Sequence, residues 1–429
     1  MLIQPGIFQP IIPREWVHQY HSIEITRTED NRTLTIPCTA SNFFLMDLNP
    51  IWYVDQLIKN KEAALFILYL DTTNSCSDRC PMCFTEKTRK LEGFQRKLDV
   101  DLALMHISKL RERYYDTFKM ISLAGPGEPL NHKDILKLLE GCSGLGTAVR
   151  VYTAGKRLEE QSIRDGLLRF TKLVRISTDA ASASTFTLTH GINEYNQRIK
   201  NIHMLVEDKI KTKSDALIGQ HFVIQKENMK EIKKFAKQAK NLGMDFIVYS
   251  QETFYNVRGS FNQEEHSYIL DSLSEVELMH TPQFRVVVPR LVKRQTYSEF
   301  TRDVLYSPEI LNKCHNCKHR IFFGVQNDFS ACWLATIDQH FRKESLIGSL
   351  DSSDIIDSIT QIINRGVGSL KNKGAYLSCN SCVASNYNAM VDQILNFVAD
   401  RTDFKTRLIQ HLPGINEEEK YELILNKEC

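Results

Sequence analysis

The stretch FILYLDTTNSCSDRCPMCFTE, residues 66–86, decides how this chain is read. It opens as an apolar, β-favouring run, Phe66–Leu70, and passes through Asp71–Ser75 into three cysteines, Cys76, Cys80 and Cys83. A short apolar run ended by Asp, Thr, Asn and Ser reads as a buried strand leaving its sheet. The cysteines then stand on the loop beyond the strand's C-terminal end, where α/β sheets and barrels carry their chemistry. They lie too close together for an ordinary disulfide framework. A closed structural zinc site needs four ligands, and this stretch has no histidine. Three thiolates suit an iron–sulfur cluster, one iron of which is left open to a substrate or cofactor.

Outward from this stretch the same grammar repeats. Apolar, β-rich runs occur at 66–70, 119–123, 149–153, 173–177, 217–224 and 245–249. Segments of helical period lie between them, at 99–113, 158–170, 194–207 and 228–241. The last is expected to start on Asn228 as an N-cap and to stop at Gly243. Six strand-then-helix units in series predict an α/β fold with a parallel sheet and right-handed crossovers. Continuously apolar strands fit a sheet covered on both faces. Periodicity leaves open whether that sheet is doubly wound or a partial barrel.

Composition sets the background. A chain of 429 residues implies two or three domains, and 42% hydrophobic with 25% charged residues is ordinary for a globular protein. A formal net charge of +2 gives no electrostatic case for nucleic acid or an anionic membrane. The first residues, MLIQPGIFQPIIPREW, lack a charged segment ahead of an apolar one, and no apolar run approaches a membrane span. A cytoplasmic location is expected. Eleven cysteines without a secretory signal point to metal or redox work rather than disulfides. Cys38, Cys142 and Cys429 stand apart and read as buried or incidental thiols.

In this order and register the motifs resemble the radical S-adenosylmethionine (AdoMet) enzymes, across residues 64–250. LAGPGEPLN (123–131) is similar to the family's Gly-Gly-Glu-Pro loop, with Gly125, an inserted Pro126, then Gly127, Glu128 and Pro129. VYTAG (151–155) resembles its Thr-Asn-Gly, with Thr153 in place and Ala154 departing. VRISTDAASASTFTLTHG (174–191) resembles the fourth strand, on which Ser177 would face the ribose or carboxylate. The residue before the third cysteine is usually aromatic. Here it is Met82, with Phe84 one step late. The resemblance implies a partial (β/α)6 TIM-like barrel and a [4Fe–4S] cluster on Cys76, Cys80 and Cys83. It further implies AdoMet held through Met82, Phe84, Gly125, Gly127, Glu128, Thr153 and Ser177, its reductive cleavage to a 5′-deoxyadenosyl radical, and a flavodoxin- or ferredoxin-type electron donor.

A second cysteine group follows: Cys314, Cys317 and Cys332, then Cys379 and Cys382. One reading is a structural zinc on two C-x2-C pairs. Residues 318–378 separate those pairs, however, against roughly 15–20 residues in compact zinc ribbons. A hairpin ending in Cys332, the phrase SLIGSLDSSDIIDSI (345–359) and the closing C-x2-C resemble the SPASM or twitch domain. That resemblance implies an auxiliary [4Fe–4S] cluster on Cys332, Cys379 and Cys382, with Cys314 and Cys317 competing for the fourth place. Asn327 stands where the family's hairpin turn has glycine, and asparagine tolerates a left-handed backbone. A rival pattern, Cys314, Cys317 and Cys332, resembles the three-cysteine cluster of the GTP-rearranging radical enzymes.

Residues 1–63 read as strand, turn at Asp30–Asn31, strand and two short helical stretches. They are either a winged-helix-like module that grips a peptide leader or a cap on the core. Residues 64–290 form the expected core, and 291–429 the auxiliary domain, with segment 384–427 helical and broken near Pro413–Gly414. The substrate is expected to be a ribosomally made peptide, crosslinked, epimerised or oxidised. The alternatives are a small metabolite such as an aminocyclitol or sugar alcohol, a GTP-type rearrangement, or a non-enzymatic electron carrier.

Overall fold

The computed structural model describes residues 21–38, 56–59, 64–83, 85–89, 96–251, 261–281, 283–288, 315–332, 346–365, 385–399 and 403–410. An N-terminal hairpin of β1 (His21–Arg27) and β2 (Thr33–Cys38) turns at Asp30–Asn31, with Asn31 left-handed at φ 54°, as its sequence predicts. The six expected strands follow close to their expected bounds: β3 (Ile67–Asp71), β4 (Met120–Ala124), β5 (Ala148–Thr153), β6 (Leu173–Ser177), β7 (Leu217–Ile224) and β8 (Phe246–Gln251). They pair in chain order, all parallel.

The sheet continues past both ends of this set. Strand β9 (Arg285–Val287) pairs parallel to β8, and β10 (Arg320–Gly324) pairs parallel to β3. Strands β11 (Asp328–Ser330) and β12 (Leu346–Ser349) then return antiparallel beside β10. The order β12-β11-β10-β3-β4-β5-β6-β7-β8-β9 leaves the sheet open, with no pairing between its ends among the described residues. The expected hairpin ending in Cys332 is present. Its pairing with β3 carries the sheet across position 290 and was not foreseen, because the apolar runs after Arg285 and Arg320 are only about three residues long.

Helices α1 (Val100–Arg113), α2 (Ile135–Gly144), α3 (Gln161–Phe170), α4 (Ala183–His190), α5 (Tyr195–Thr212), α6 (Ile232–Asn241) and α7 (Gln263–Glu277) supply the crossovers. On one sheet face Leu68, Leu70, Ile121, Val151 and Ile176 pack with helix residues such as Ala103, Ile107 and Leu138 in one buried core. Each fully buried leucine or isoleucine there contributes about 1.5–3 kcal/mol. The other face carries a smaller apolar patch of Leu173, Phe246, Val248 and Val287. Beside it Tyr69 stacks on Phe322, with ring centroids 4.8 Å apart, and accepts a 2.8 Å bond from Arg150.

Two local expectations resolve differently. Gly243 ends α6 with φ 76°, as expected. Asn228, however, makes no side-chain cap. Its amide accepts from Gln225 N at 2.7 Å and donates to the Asp179 and Val223 carbonyls, so it braces two loops instead. Asn327 is left-handed at φ 55°, as its place in the hairpin turn requires. Its side chain also accepts from Asp99 N at 2.8 Å, which fastens the turn to the start of α1. Further along α1, His106 donates to the Leu350 carbonyl at 2.7 Å, and Tyr114 donates to Thr360 on α8 (Ile355–Arg365) at 3.1 Å.

The C-terminal segment is not wholly helical. Helix α9 (Ser385–Val398) gives way to strand β13 (Phe404–Gln410), which pairs antiparallel with β1. Phe404, Thr406 and Leu408 alternate with Lys405 and Arg407, a period of two that outweighs helix propensity once a partner strand is available. Strand β1 is therefore central in the sheet β13-β1-β2, with both of its edges filled. Among the described residues no helix is long and apolar enough to cross a membrane. A chain ending before Asp403 should leave β1 with one partner. Its backbone amides should then exchange hydrogen faster, while those of β4 and β5 stay protected.

Candidate active site

The loop after β3 brings Cys76, Cys80 and Cys83 together, each half-buried. A tight turn joins the last two, with Cys83 N bonded to the Cys80 carbonyl at 2.9 Å. Each sulfur meets a different neighbour. Arg89, on the short helix Glu86–Arg89, bonds Cys76 and lies within electrostatic reach of all three sulfurs. Burial would lower the Arg89 guanidinium, but Cys83, Cys76 and Cys80 raise it above its usual range. Thr85 donates to the Pro126 carbonyl at 2.8 Å and sits 3.1 Å from the Cys83 sulfur. His190 Nδ1 lies 3.5 Å from the Cys80 sulfur. Burial pushes the free Cys76 thiol up to about 11, so iron or another metal must displace a firmly held proton there.

Two braces hold this loop, and the sequence motifs account for only one. The first is GPGEP. Gly127 packs so closely on the cysteine loop that a Cβ would stand 2.3 Å from the Thr73 carbonyl oxygen and 2.7 Å from the Asn74 carbonyl carbon. Gly125, at φ 138°, presses equally on Asp71. Glycine is thus required here by approach to the cysteine loop's own backbone and side chains. Glu128 N donates to the Ser75 carbonyl at 2.8 Å. The buried Glu128 carboxylate accepts from Thr153 Oγ1 at 2.6 Å, Ala154 N at 2.7 Å and Leu130 N at 3.2 Å. Burial raises its pKa and these three bonds oppose the rise. Glu128 and Thr153 therefore join the ends of β4 and β5.

The second brace was not legible as a motif. Asp78, between the first two cysteines, is buried with His190 Nδ1 at 3.0 Å and Arg198 Nη2 at 2.8 Å. Burial alone would raise the Asp78 carboxyl, but these two partners hold it below the usual carboxylate range. His190 Nε2 donates to the Thr178 carbonyl at 2.9 Å and lies 3.4 Å from Asp179. Burial would depress this imidazole, yet Cys80, Asp179 and Asp78 together hold it well above the histidine range. Gly191, left-handed at φ 67°, ends α4 and lets Arg79 N reach the His190 carbonyl at 2.9 Å. The signal in the sequence was the Thr-His-Gly that closes the 174–191 stretch, together with an acid inside C-x3-C.

The remaining expected residues divide clearly. Met82, Gly125, Gly127, Glu128, Thr153 and Ser177 all lie at or just beyond the C-terminal ends of β3 to β6, around the cysteine loop. Ser177 is half-exposed at the end of β6. The Met82 sulfur accepts from the Gln225 amide at 2.9 Å. Phe84, Cys314, Cys379 and Cys382 lie outside the described residues. Cys317 is buried just ahead of β10, and Cys332 packs beside the core just after β11. Since β10 runs parallel to β3 and β11 antiparallel to it, both sit at the opposite end of the sheet from Cys76. Five residues of β3 at ~3.3 Å each separate the two ends by about 17 Å.

The residues present fit an iron–sulfur cluster with a bound cofactor. Three sulfurs share one cationic neighbour, and the described residues around them offer His190 and Asp78 already committed to each other rather than a free fourth ligand. Beside them the Asn74 amide is buried, and neither of its polar atoms is bonded among the described residues. Gly127→Ala should force the two loops apart, at a cost of about 1–3 kcal/mol. Thermal melting should show a lower Tm and the chain should take up less iron. Gly144→Ala, where a Cβ meets nothing within 4 Å, should change neither.

Comparison with known proteins agrees with this geometry. Residues 70–239 match the Radical SAM superfamily. The tungsten-containing aldehyde ferredoxin oxidoreductase cofactor-modifying protein of Pyrococcus furiosus is 28% identical over 185 residues, 43% of this chain and 50% of that protein. A probable GTP 3′,8-cyclase of Saccharolobus solfataricus is 24% identical over 294 residues, 66% of this chain and 85% of that protein. The chain spans about half the length of the first of these relatives. Among solved structures, Streptococcus suis SuiB bound to S-adenosylmethionine has a TM-score of 0.55 at 12% identity, covering 79% of this chain and 77% of SuiB. Residues 70–239, which are similar to the Radical SAM superfamily, include the cysteine loop, and the α/β sheet has the fold of SuiB.

Proposed function

We propose that the chain is a radical AdoMet enzyme that abstracts hydrogen from a ribosomally made peptide. The observation that carries the radical chemistry is the cysteine loop, three sulfurs fixed by Arg89, His190 and Thr85, with the neighbouring His190 and Asp78 already bonded to each other. When bound there, a [4Fe–4S] cluster with AdoMet supplies one electron to break a C–S bond and yields a 5′-deoxyadenosyl radical. The chain's own residues set the stage for that event. Cys76, Cys80 and Cys83 would ligate iron, and Arg89 offsets their negative charge. GPGEP holds the loop from one side, and the Asp78–Arg198–His190 group holds it from the other. Asn74 and Ser177 present polar groups at the strand ends where AdoMet would lie. Positioning is the protein's main contribution in such chemistry.

The peptide reading draws on SuiB, whose structure bound to the precursor peptide SuiA shares this fold with a TM-score of 0.52 at 13% identity. Residues 1–63 would grip a leader remote from the reacting residue. Since β1 is flanked on both sides, strand addition to this hairpin would use the outer edge of β2. The auxiliary cluster would lie at the far end of the sheet, on Cys332 and Cys317 or Cys314, together with Cys379 and Cys382, and would accept the product electron.

A second reading rests on a specific feature of the sheet face that carries Tyr69 and Phe322. Arg175 and Arg320 both lie within electrostatic reach of Arg150 there, and burial, with these two neighbours adding repulsion, lowers Arg150 to about 10. An anionic small molecule, such as the nucleotide that the cyclase relatives' name implies, would complement that face.

One assay separates these readings. Loaded anaerobically, reduced and given AdoMet, the protein should release 5′-deoxyadenosine, and Cys76→Ala, Cys80→Ala or Cys83→Ala should abolish the release. A precursor peptide should accelerate it, whereas acceleration by GTP alone would favour the second reading. Cys332→Ala, if it folds, should lower product yield more than AdoMet cleavage. A colourless protein that binds zinc tightly would contradict the radical reading altogether.

A further inference from the structure

We propose that His190 is a positioning residue for the cluster. It donates Nδ1–H to the Cys80 sulfur and anchors Nε2–H on the end of β6. The proposal rests on the reading that Cys76, Cys80 and Cys83 hold an iron–sulfur cluster.

The partners fix the ring's role by donor and acceptor chemistry alone. Nε2 lies 2.9 Å from the Thr178 carbonyl, which can only accept, so Nε2 carries a proton. Nδ1 lies 3.0 Å from Asp78 Oδ2, a carboxylate already accepting from Arg198, so Nδ1 also donates. That donor is shared with the Cys80 sulfur at 3.5 Å. The ring cannot turn away. It is 1% exposed and stacks on Phe186 with centroids 4.2 Å apart. Its backbone is tied as well, through the bond from Arg79 N to the His190 carbonyl, where a side chain at Gly191 would collide with Arg79.

The charges around the ring balance. The His190 and Arg198 cations face the Asp78 and Asp179 carboxylates, and Arg198 also pairs with Glu194, which Lys156 in turn neutralises. What distinguishes Cys80 is therefore the donated bond rather than a net charge. A hydrogen bond to a ligating sulfur stabilises the electron-rich, reduced cluster and raises its potential. Partners that orient a ligand in this way typically govern metal affinity by about 10–100-fold. The ligand atoms of Asp78, Cys80 and His190 fall within 4.8 Å of one another, as a metal site's would, but bonds between the groups already account for that closeness.

Two substitutions divide the ring's bonds between them. His190→Asn places an amide N–H near the Nδ1 position and keeps the Cys80 donor. His190→Gln reaches toward Nε2 and keeps the Thr178 anchor. The full chain and both variants are loaded with iron and sulfide without oxygen. Two quantities are then measured: the potential of the electron-paramagnetic signal that responds to AdoMet, and the rate of iron loss to a chelator. His190→Gln should show a more negative potential and roughly tenfold faster iron loss. His190→Asn should stay near the wild-type potential. Equal potentials in all three proteins, or an equal drop in both variants, would overturn the proposal, because a role confined to packing does not distinguish the two nitrogens. Circular dichroism of the iron-free variants checks folding, and if one fails, the wild-type chain labelled with 15N-histidine decides: its reduced cluster should show a histidine nitrogen coupling in the pulsed electron-paramagnetic spectrum, and absence of that coupling overturns the proposal. A wild-type chain that takes up no iron overturns the cluster reading instead.

Discussion

With iron on its three cysteines the loop would gather thiolate charge beside the buried Asp78 carboxylate, and the cations around the loop offset that charge. Asp78 is 3% exposed, and an unpaired charge so buried costs several kcal/mol. Arg198 arrives from α5, His190 from the end of α4, and Arg89 from the helix that follows the cysteines. Removing one member of such a buried group typically costs about 3–5 kcal/mol, because the partner left behind is then unpaired. The fold's parallel order makes the arrangement possible, since it stacks the C-terminal ends of β3 to β6 side by side.

How legible each part was in sequence depended on how local its cause is. The strands at 67–71 and 120–124 show plainly because a parallel sheet covered by helices needs continuous apolar runs. Gly243 and Asn327 were readable because a left-handed turn restricts the residue types that can form it. Strand β13 was not, since pairing with β1, nearly four hundred positions away (His21 with Gln410), decides its structure more than its own propensity does. Asn228 looked like a helix cap by position alone, while tertiary contacts to Asp179 and Val223 claimed its side chain.

The site divides along the same line. The cysteines, Gly127 and Glu128 declare themselves by spacing. His190 and Asp78 do not, because 112 positions separate them and neither forms a recognised pattern with the other. At Gly127 the structure supplies a reason for glycine that the motif did not state. Close approach of two loops accounts for that glycine, before any contact with a cofactor. The sheet meanwhile separates Cys76 from Cys317 and Cys332 by its full width along the strands. Between those two ends, on the face opposite the main core, lie Tyr69, Arg150 and Phe322.

The central claim is that three cysteines hold iron and leave one iron open. Mössbauer spectroscopy of the anaerobically loaded protein, with and without AdoMet, tests it most directly. The account expects [4Fe–4S] signals in which one iron site changes its isomer shift when AdoMet is added, with the change lost in Cys80→Ala. Iron sites that are all indifferent to AdoMet, or a loop filled by zinc, would contradict it.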